Sequence, residues 1–225
     1  MADERRTVAA PTSCAARPLG RLHLVTDVRR DRDPVAVVRA ALSVGVPVVQ
    51  VRVPDHISDL GAYHLSTIIA ELCREAGAIC LINDRLHIAL AVSADGGHVG
   101  GDDLPVAAAR RVLGPDAILG ATARDPVAAR AAVAAGATYL GVGPAFATQT
   151  KEGLPDPIGA AGIGAVAAAV TVPVIAIGAV TAVRVPELLA AGAYGVAVVT
   201  AVSDAPDPAA AAAELLSALP VAEPA

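Results

Sequence analysis

Short apolar runs alternate with longer alanine-rich stretches along most of this chain. The runs are rich in Val and Ile and are bounded by turn residues, and they predict eight strands, at 21–27, 47–53, 78–84, 96–100, 117–122, 138–143, 172–178 and 195–200. The stretches between them have helical spacing and predict helices at 34–44, 59–76, 126–135, 158–169 and 183–191. Because strands that alternate with helices pair in parallel, the pattern indicates an α/β fold.

The number of strand–helix units favours one architecture within that class. Eight units in 225 residues predict a single-domain (β/α)₈ TIM barrel over residues 21–220, preceded by a flexible N-terminal tail at 1–20. The alternative is a doubly wound open sheet. A dinucleotide-binding sheet of that kind carries GxGxxG after its first strand, but residues 26–30 contain no glycine. The barrel is therefore the preferred prediction.

Composition and charge narrow the classes of partner. The net charge is −5 and the pI is near 5.5, so no basic stripe is available to follow a nucleic acid. Gly, Pro and charged residues interrupt each apolar run before it could cross a bilayer, and the first twenty residues lack the apolar centre of a secretion signal. We expect a cytoplasmic protein without membrane or nucleic-acid partners. The sequence is compatible with a monomer and with a homo-oligomer.

Three cysteines add no metal site to this picture. Cys14, Cys73 and Cys80 have neither CxxC spacing nor histidine companions at ligand spacing, so neither a zinc site nor a disulfide framework is predicted. We expect reduced thiols.

The stretch GPAFATQTK, residues 143–151, carries the chemistry of an oxyanion clamp. It closes the sixth predicted strand with Gly-Pro and then presents the hydroxyls of Thr148 and Thr150 and the ammonium of Lys151. Hydroxyls donate to phosphate oxygens, and an ammonium adds a compact positive charge. An ordinary polar surface loop has the same composition, so the stretch alone leaves both interpretations open.

Other polar residues fall where the predicted strands end. In a (β/α)₈ barrel the active site lies at the carboxyl ends of the strands, which form one rim. The polar residues at those ends are Thr26, Asp27, Gln50, Arg52, Asn83, Asp84, Asp102, Asp103, Thr122, Arg124 and Thr200.

Two of these carboxylates suggest a metal. Asp84 and Asp103 follow neighbouring strands and can share one Mg²⁺, which takes one or two protein carboxylates and completes its shell with water and phosphate oxygens. Both also have a purely structural alternative. Asp84 can cap the helix that follows it, and Asp102 and Asp103 can begin theirs.

The last two units carry a second phosphate signal. Gly178 follows the seventh strand, and Val199 and Thr200 end the eighth, where many barrels bind phosphate through backbone N–H groups. An ordinary turn glycine is the alternative for Gly178. We expect His98, on the short fourth strand, to be a packed or hydrogen-bonded core histidine and leave it outside the catalytic set.

The ordered set QVR, LIND, ADGGHVGGDD, ILGAT, YLGVGPAFATQTK, VIAIGAV and AGAYGVAVVTAV, over about residues 20–203, resembles the thiamine-phosphate synthase family. The wider superfamily also holds the thiazole tautomerases. The resemblance implies an enzyme that joins hydroxymethylpyrimidine diphosphate to a thiazole phosphate and releases pyrophosphate. It implies a dissociative reaction, in which Mg²⁺, Arg52 and Lys151 stabilise the departing diphosphate and the thiazole nitrogen attacks the pyrimidine methylene.

The resemblance also implies a role for each matching residue. Catalytic roles fall to Arg52, Lys151 and Thr122, the last standing where the family usually has serine, and Mg²⁺ ligation falls to Asp84 and Asp103. The resemblance also implies two sets of substrate contacts. The pyrimidine diphosphate would be bound by Gln50, Arg52, Asn83 and Lys151. The thiazole phosphate would be bound by Thr148, Thr150, Gly178, Val199 and Thr200.

Four positions depart from the family pattern. Pro54 stands where a lysine is usual, Gly101 where glutamine is usual, and Arg124 where a histidine is usual. Ala179 replaces the second glycine of the phosphate turn, which adds a methyl group and, if the turn needs a positive φ, strain. We hypothesise that Arg124 contributes to substrate binding by restoring the cation lost at Pro54.

The departures define the alternatives in function. One is a retasked paralogue that acts on another phosphorylated heterocycle. A second is a thiazole tautomerase, which Arg124 disfavours because an arginine cannot shuttle protons near neutral pH. The third is a non-catalytic barrel that binds a phosphorylated regulator, which the retention of both Asp84 and Asp103 disfavours.

Overall fold

Eight parallel strands close into a barrel in the order in which they occur along the chain. A computed structural model describes residues 18–28, 32–148 and 155–220. The strands are β1 Leu22–Val25, β2 Val48–Val51, β3 Ile79–Asn83, β4 Gly96–Val99, β5 Ile118–Ala123, β6 Tyr139–Val142, β7 Val174–Ile177 and β8 Gly195–Val198. The predicted (β/α)₈ barrel is confirmed.

The pairing of β1 with β8 decides between the two predicted architectures. Leu22, His23 and Leu24 align with Val196, Ala197 and Val198, so the sheet has no open edge and the open-sheet alternative is wrong. Of the predicted N-terminal tail, residues 1–17 lie outside the described residues. Residues 18–20 meet the amino end of the barrel, because the Leu19 carbonyl accepts a hydrogen bond from the Tyr194 hydroxyl at 2.6 Å.

Nine α-helices occur in the described ranges. They are α1 Pro34–Ser43, α2 Asp59–Ala76, α3 Leu86–Ala91, α4 Val106–Leu113, α5 Pro126–Ala134, α6 Gly159–Ala167, α7 Val185–Ala190, α8 Thr200–Ser203 and α9 Pro208–Ser217. The helix predicted at 183–191 is a 3₁₀ turn, Ala182–Arg184, followed by α7. Thr200, predicted to end the eighth strand, instead begins α8.

Three helices begin with the same local device. Asp33, Asp125 and Asp207 are the N-caps of α1, α5 and α9, and each is followed by a proline in the first turn. The carboxylate accepts a hydrogen bond from a backbone N–H that the helix cannot satisfy, and proline has no N–H to lose there. At the other end of α2, Gly77 closes the helix in the left-handed conformation, with φ +68°.

The barrel interior is built around an aromatic ring. Tyr139 is 1% exposed and packs in the interior with Val25, Leu81 and Ile175. A Cβ atom at Gly120 would lie 2.2 Å from the Tyr139 Cζ atom and 2.4 Å from the His98 Nδ1 atom, and one at Gly141 would lie 2.9 Å from the His98 Cε1 atom. Glycines on β5 and β6 therefore make room for the two rings.

Cys73 and Cys80 are buried free thiols, whereas Cys14 lies outside the described residues. A hydrogen bond with Cys73, which favours the protonated form, and burial both raise the pKa of the Cys80 thiol and keep it protonated. In the ranges that the structure covers, no helix has the length and apolar character needed to cross a membrane.

Gly120→Ala tests the space that the interior requires. The added methyl group overlaps two rings that packing holds in place, so we expect the free energy of unfolding to fall by about 3 kcal/mol, near the upper end for overpacked cores. Urea denaturation measures it. Gly101→Ala is the matched control, because nothing lies within 4 Å of its added Cβ. The control should stay within about 0.5 kcal/mol of wild type; equal losses in both variants would contradict the packing account.

Candidate active site

Thr26 fixes the backbone where β2 reaches the rim. Its Oγ1 accepts a hydrogen bond from the Arg52 N–H at 2.8 Å and donates to the Arg52 carbonyl, with 2.9 Å between the oxygens. The Thr26 N–H donates to the Gln50 carbonyl at 2.9 Å. Arg52 thus leaves the sheet along a defined path just beyond β2.

Gln50 and Asn83 lie next to each other. Both are strand-end amides that were predicted to bind the same substrate. Gln50 Nε2 donates to Asn83 Oδ1 at 2.7 Å, across the neighbouring strands β2 and β3. Gln50 is only 7% exposed, so this bond orients both amides. Because the Asn83 carbonyl oxygen faces Gln50, its NH₂ group remains to donate elsewhere.

Asp84 follows β3 in an uncommon backbone conformation. Its φ is +61°, in the left-handed region that Asp tolerates better than most residues, and its N–H donates to the His98 carbonyl at 2.9 Å. The N-cap of α3 is Arg85, whose side chain makes no capping hydrogen bond. The alternative interpretation of Asp84 as the N-cap residue is therefore wrong.

Asp103 braces the turn that follows β4. Its Oδ2 accepts a hydrogen bond from the Gly100 N–H at 2.6 Å. The helix α4 has Pro105 as its N-cap and no side-chain cap, so neither Asp102 nor Asp103 caps it. Asp103 thus stands in a turn of its own ahead of the helix.

The two carboxylates suit one kind of metal. Across the described ranges, no group of three or more His, Cys, Asp or Glu side chains could enclose an ion. Asp84 and Asp103 follow adjacent strands, and two hard oxygen donors with room for water and phosphate are what Mg²⁺ takes. The donor set fits Mg²⁺ and does not fit a metal that needs a complete protein cage.

Thr122 is linked to the barrel interior through His98. The His98 Nε2 atom lies 3.0 Å from Thr122 Oγ1, and its Nδ1 atom lies 3.0 Å from the Tyr139 hydroxyl. Burial lowers the pKa of His98 to about 4, so the imidazole is neutral near pH 7. The expectation of a hydrogen-bonded core histidine is confirmed, but the connection of this histidine to Thr122 was not predicted.

The segment that carries the predicted clamp is described only in part. Thr148 lies within the described residues, whereas Thr150 and Lys151 lie outside them. The segment begins with a cis Gly143–Pro144 peptide bond and is tied to β7 by the Ala145 N–H, which donates to the Ile177 carbonyl at 2.7 Å. The start of the clamp is thus fixed next to the β7 end.

Arg124, the strand-end arginine, contacts both ends of the longer stretch 143–156 that contains that segment. Its Nε donates to the Gly143 carbonyl at 3.2 Å, and its Nη2 donates to the Asp156 carbonyl. Because these carbonyls flank residues 149–154, the guanidinium holds the two ends at a set separation.

Gly178 is required by the close approach of that same segment. Its φ is +110°, and a Cβ atom there would lie 2.7 Å from the Pro144 Cα atom and 2.9 Å from the Ala145 nitrogen. Ala179 has a φ of +47°, so the condition for strain at this departure is met. The Arg184 Nη1 atom donates to the Ala179 carbonyl at 2.8 Å, which braces the strained turn.

Beside this turn lies an open cavity of about 470 Å³. It is lined by Ala179, Val180, Thr181, Arg184, Thr200, Ala201 and Asp204. The Arg184 guanidinium also stacks 4.2 Å above the centre of the Phe146 ring. The predicted phosphate residues lie at the ends of adjacent strands, as expected: Gly178, Val199 and Thr200. The positively charged side chain that lines the cavity is Arg184, which the sequence motif did not single out.

Arg85 fastens the loop that contains the unusual Pro54. Its Nη2 donates to the carbonyls of Ile57 at 2.7 Å and Pro54 at 3.3 Å, and its Nη1 lies 3.2 Å from Asp59 Oδ1. Arg85 was not among the predicted site residues, although it directly follows Asp84. The missing lysine is therefore not replaced by a free guanidinium here, because Arg85 is committed to the loop.

A closed (β/α)₈ barrel with amides, carboxylates and hydroxyls where its strands end defines a class, the (β/α)₈ barrel enzymes, whose active sites lie at that rim. Within that class, the sequence profile described as thiamine monophosphate synthase matches residues 22–202. The chain belongs to the thiamine monophosphate synthase family.

Individual relatives cover most of this chain. It is similar to a thiamine-phosphate synthase of Salinispora arenicola, with 65% identity over 203 residues, which are 89% of this chain and 98% of the relative. A thiamine-phosphate synthase of Chlorobium limicola is 42% identical over 198 residues, 88% of this chain and 93% of the relative. The solved structure of thiamine phosphate pyrophosphorylase from Pyrococcus furiosus superposes with a TM-score of 0.81 at 34% identity, covering 88% of this chain and 94% of its own.

The buried histidines predict how stability depends on pH. Burial lowers the pKa of His23 to about 3 and that of His98 to about 4, from an ordinary value of 6.5. Above pH 6.5 both histidines are neutral in the folded and the unfolded chain, so the lowered pKa values do not change the free energy of unfolding. Below pH 6.5 the unfolded chain binds two protons that the native chain does not bind. We expect the free energy of unfolding to fall by up to about 2.7 kcal/mol per pH unit between pH 6.5 and 5.

Urea denaturation over that pH range measures the slope. His23→Leu should roughly halve it, and substitution of the exposed His64, as His64→Gln, should leave it unchanged. A slope that does not respond to His23→Leu would contradict the assignment.

Ala179→Gly should relieve the strained turn. A left-handed alanine costs about 1–2 kcal/mol, and glycine returns part of this through its greater freedom in the unfolded chain. We expect the free energy of unfolding to rise by about 1 kcal/mol. The control is Ala131→Gly on the exposed face of α5, which should lower it by about 0.5–1 kcal/mol. A loss in both variants would show that Ala179 is not strained.

Proposed function

We propose that this enzyme joins hydroxymethylpyrimidine diphosphate to a thiazole phosphate, forming thiamine phosphate and pyrophosphate with Mg²⁺. One observation supports the proposal above the others: Gln50 and Asn83 are hydrogen-bonded to each other at the ends of β2 and β3, and Asp84 and Asp103 follow the neighbouring strands β3 and β4. An amide pair next to two hard oxygen donors suits a ligand that carries a polar ring and a diphosphate. The 65% identity to a protein named thiamine-phosphate synthase supports the same reaction.

The pyrimidine diphosphate would occupy the rim between β2 and β4. Gln50 and Asn83 would hold it through amide hydrogen bonds, and Arg52 would contact the diphosphate beyond β2. Asp84 and Asp103 would hold Mg²⁺, which when bound screens the negative charge of the diphosphate. All of these residues would stabilise charge on the leaving group, and none is assigned as a general base. A dissociative reaction requires stabilisation of that kind.

Thr148 and Thr150 would bind the thiazole phosphate together with Gly178, Val199 and Thr200. Gly178 has a further task, since it lets the clamp segment approach β7. We propose that Arg124 serves the site by holding both ends of this segment, because its donors already meet the carbonyls of Gly143 and Asp156.

Lys151 is the only lysine among the seventeen Lys and Arg residues of the sequence. Arginine supplies every other permanent side-chain cation, so this is the one position in the sequence with a lysine ammonium. A compact, strongly hydrated charge is suited to follow a departing diphosphate, whereas a guanidinium is planar and directional. We therefore assign Lys151, with Arg52, to stabilising the leaving group.

Small phosphorylated molecules are the proposed partners, and the cytoplasm is the proposed location, where buried thiols such as Cys73 and Cys80 stay reduced. The retasked paralogue remains the second candidate function, because Pro54 and the strained Ala179 alter both phosphate regions. The tautomerase alternative is weaker, since Arg124 stands where its acid/base histidine is expected.

The direct test incubates the purified protein with both phosphorylated heterocycles and Mg²⁺. We expect thiamine phosphate and pyrophosphate in equal amounts, and no product when Mg²⁺ is removed with a chelator. A folded protein that binds the substrates but forms neither product would favour the retasked paralogue.

Lys151→Ala should lower kcat by about a hundredfold to a thousandfold, the scale found when one group that stabilises transition-state charge is removed. Lys151→Arg keeps the charge but changes its shape, so we expect it to recover only part of the activity. Steady-state pyrophosphate release measures both. The matched control is Arg39→Ala, which removes an exposed cation from α1 and should behave as wild type. Wild-type turnover in Lys151→Ala would overturn the assigned role.

A further inference from the structure

Three polar groups run from the barrel interior to its mouth. The Tyr139 hydroxyl is buried, His98 lies above it, and Thr122 is exposed on the rim at the end of β5. Both steps are 3.0 Å, from the Tyr139 hydroxyl to His98 Nδ1 and from His98 Nε2 to Thr122 Oγ1. Gly120 and Gly141 leave the space that the two rings fill.

The direction of these hydrogen bonds follows from burial. Within the described ranges, His98 is the one hydrogen-bond partner of the Tyr139 hydroxyl. A buried O–H without an acceptor costs more than an unused oxygen lone pair. Tyr139 therefore donates to Nδ1, and the neutral imidazole carries its proton on Nε2, which donates to Thr122 Oγ1.

The state of the Thr122 hydroxyl is then set as well. Because Oγ1 already accepts from His98, its own O–H cannot point back at Nε2 and is turned toward the open mouth. With the opposite tautomer, Thr122 would donate to His98 and present only lone pairs to a ligand. The two arrangements differ in whether the rim offers a donor or an acceptor at this point.

We propose that Tyr139 and His98 are positioning residues that hold Thr122 as a hydrogen-bond donor toward an acceptor atom of the diphosphate substrate, a ring nitrogen or a phosphate oxygen. This inference rests on the proposed function for the identity of the ligand. The order of the hydrogen bonds rests on the structure alone. Neither positioning residue touches substrate; both act through the Thr122 hydroxyl.

The tautomer of His98 can be measured without substrate. Nitrogen-15 spectra of histidine-labelled wild-type protein near neutral pH distinguish a protonated Nε2 from a protonated Nδ1, and His98→Gln assigns the signal. We expect the proton on Nε2. A proton on Nδ1 would overturn the inference even in a fully active enzyme. A proton on Nε2 in a protein that makes no thiamine phosphate would instead count against the proposed function alone.

A double-mutant cycle tests the link to catalysis. Tyr139→Phe removes only the oxygen, and we expect kcat to fall about tenfold, equivalent to about 1.4 kcal/mol, with little change in KM. Thr122→Ser keeps the hydroxyl and should stay within about threefold of wild type, whereas Thr122→Val should lose activity. In the Thr122→Val background, Tyr139→Phe should lower kcat no further.

This last comparison separates positioning from simple packing. If Tyr139 only supported the core, its replacement would lower kcat by the same factor in both backgrounds, and that result would overturn the inference. If Tyr139→Phe does not fold, the measurement of the His98 tautomer in the wild-type protein still tests the inference. Urea denaturation of the single and double variants identifies any loss that comes from stability.

Discussion

The hydrogen bonds between β1 and β8 are the interaction on which the rest of this protein depends. They close a sheet of very short strands, so that no edge is left unpaired and all eight carboxyl ends meet at one rim. Within this sheet, residues far apart in sequence are neighbours across adjacent strands, as Gln50 and Asn83 are across β2 and β3. Without closure the rim residues would be spread along an open sheet, and no single ligand could reach them all.

Closure also creates an interior that a chain with only 2% aromatic residues must fill. Much of the space is taken by Val, Leu and Ile, but between β4 and β6 it is taken by the rings of His98 and Tyr139, with glycines on β5 and β6 that admit them. Polar groups on two buried rings need hydrogen-bond partners, and His98 and Tyr139 supply one for each other. The two rings that fill this part of the interior are consequently also the groups that form the hydrogen-bonded connection to Thr122.

Three guanidinium groups around the rim hold loops in place. Arg85 fastens the loop around Pro54, Arg124 joins the two ends of the clamp segment, and Arg184 braces the strained Ala179 turn while stacking on Phe146. Arginine suits this task because its planar fork can donate to several carbonyls at once. Such bracing fits the departures from the family pattern: two of the three arginines contact Pro54 or Ala179 directly, and Arg124 is itself a departure.

The sequence by itself determined the architecture and which polar residues follow the ends of the strands. Alternating apolar and alanine-rich segments, with Asp-Pro helix starts, are local signals, and the carboxyl ends of parallel strands meet by rule, so both could be derived residue by residue. Only the tertiary structure decided what the rim residues do to one another. Thr122 and His98 are 24 positions apart, and His98 and Tyr139 are 41 apart. The same holds for the left-handed φ of Ala179 and the partners of Arg85 and Arg124, because these depend on backbone paths that no local pattern records.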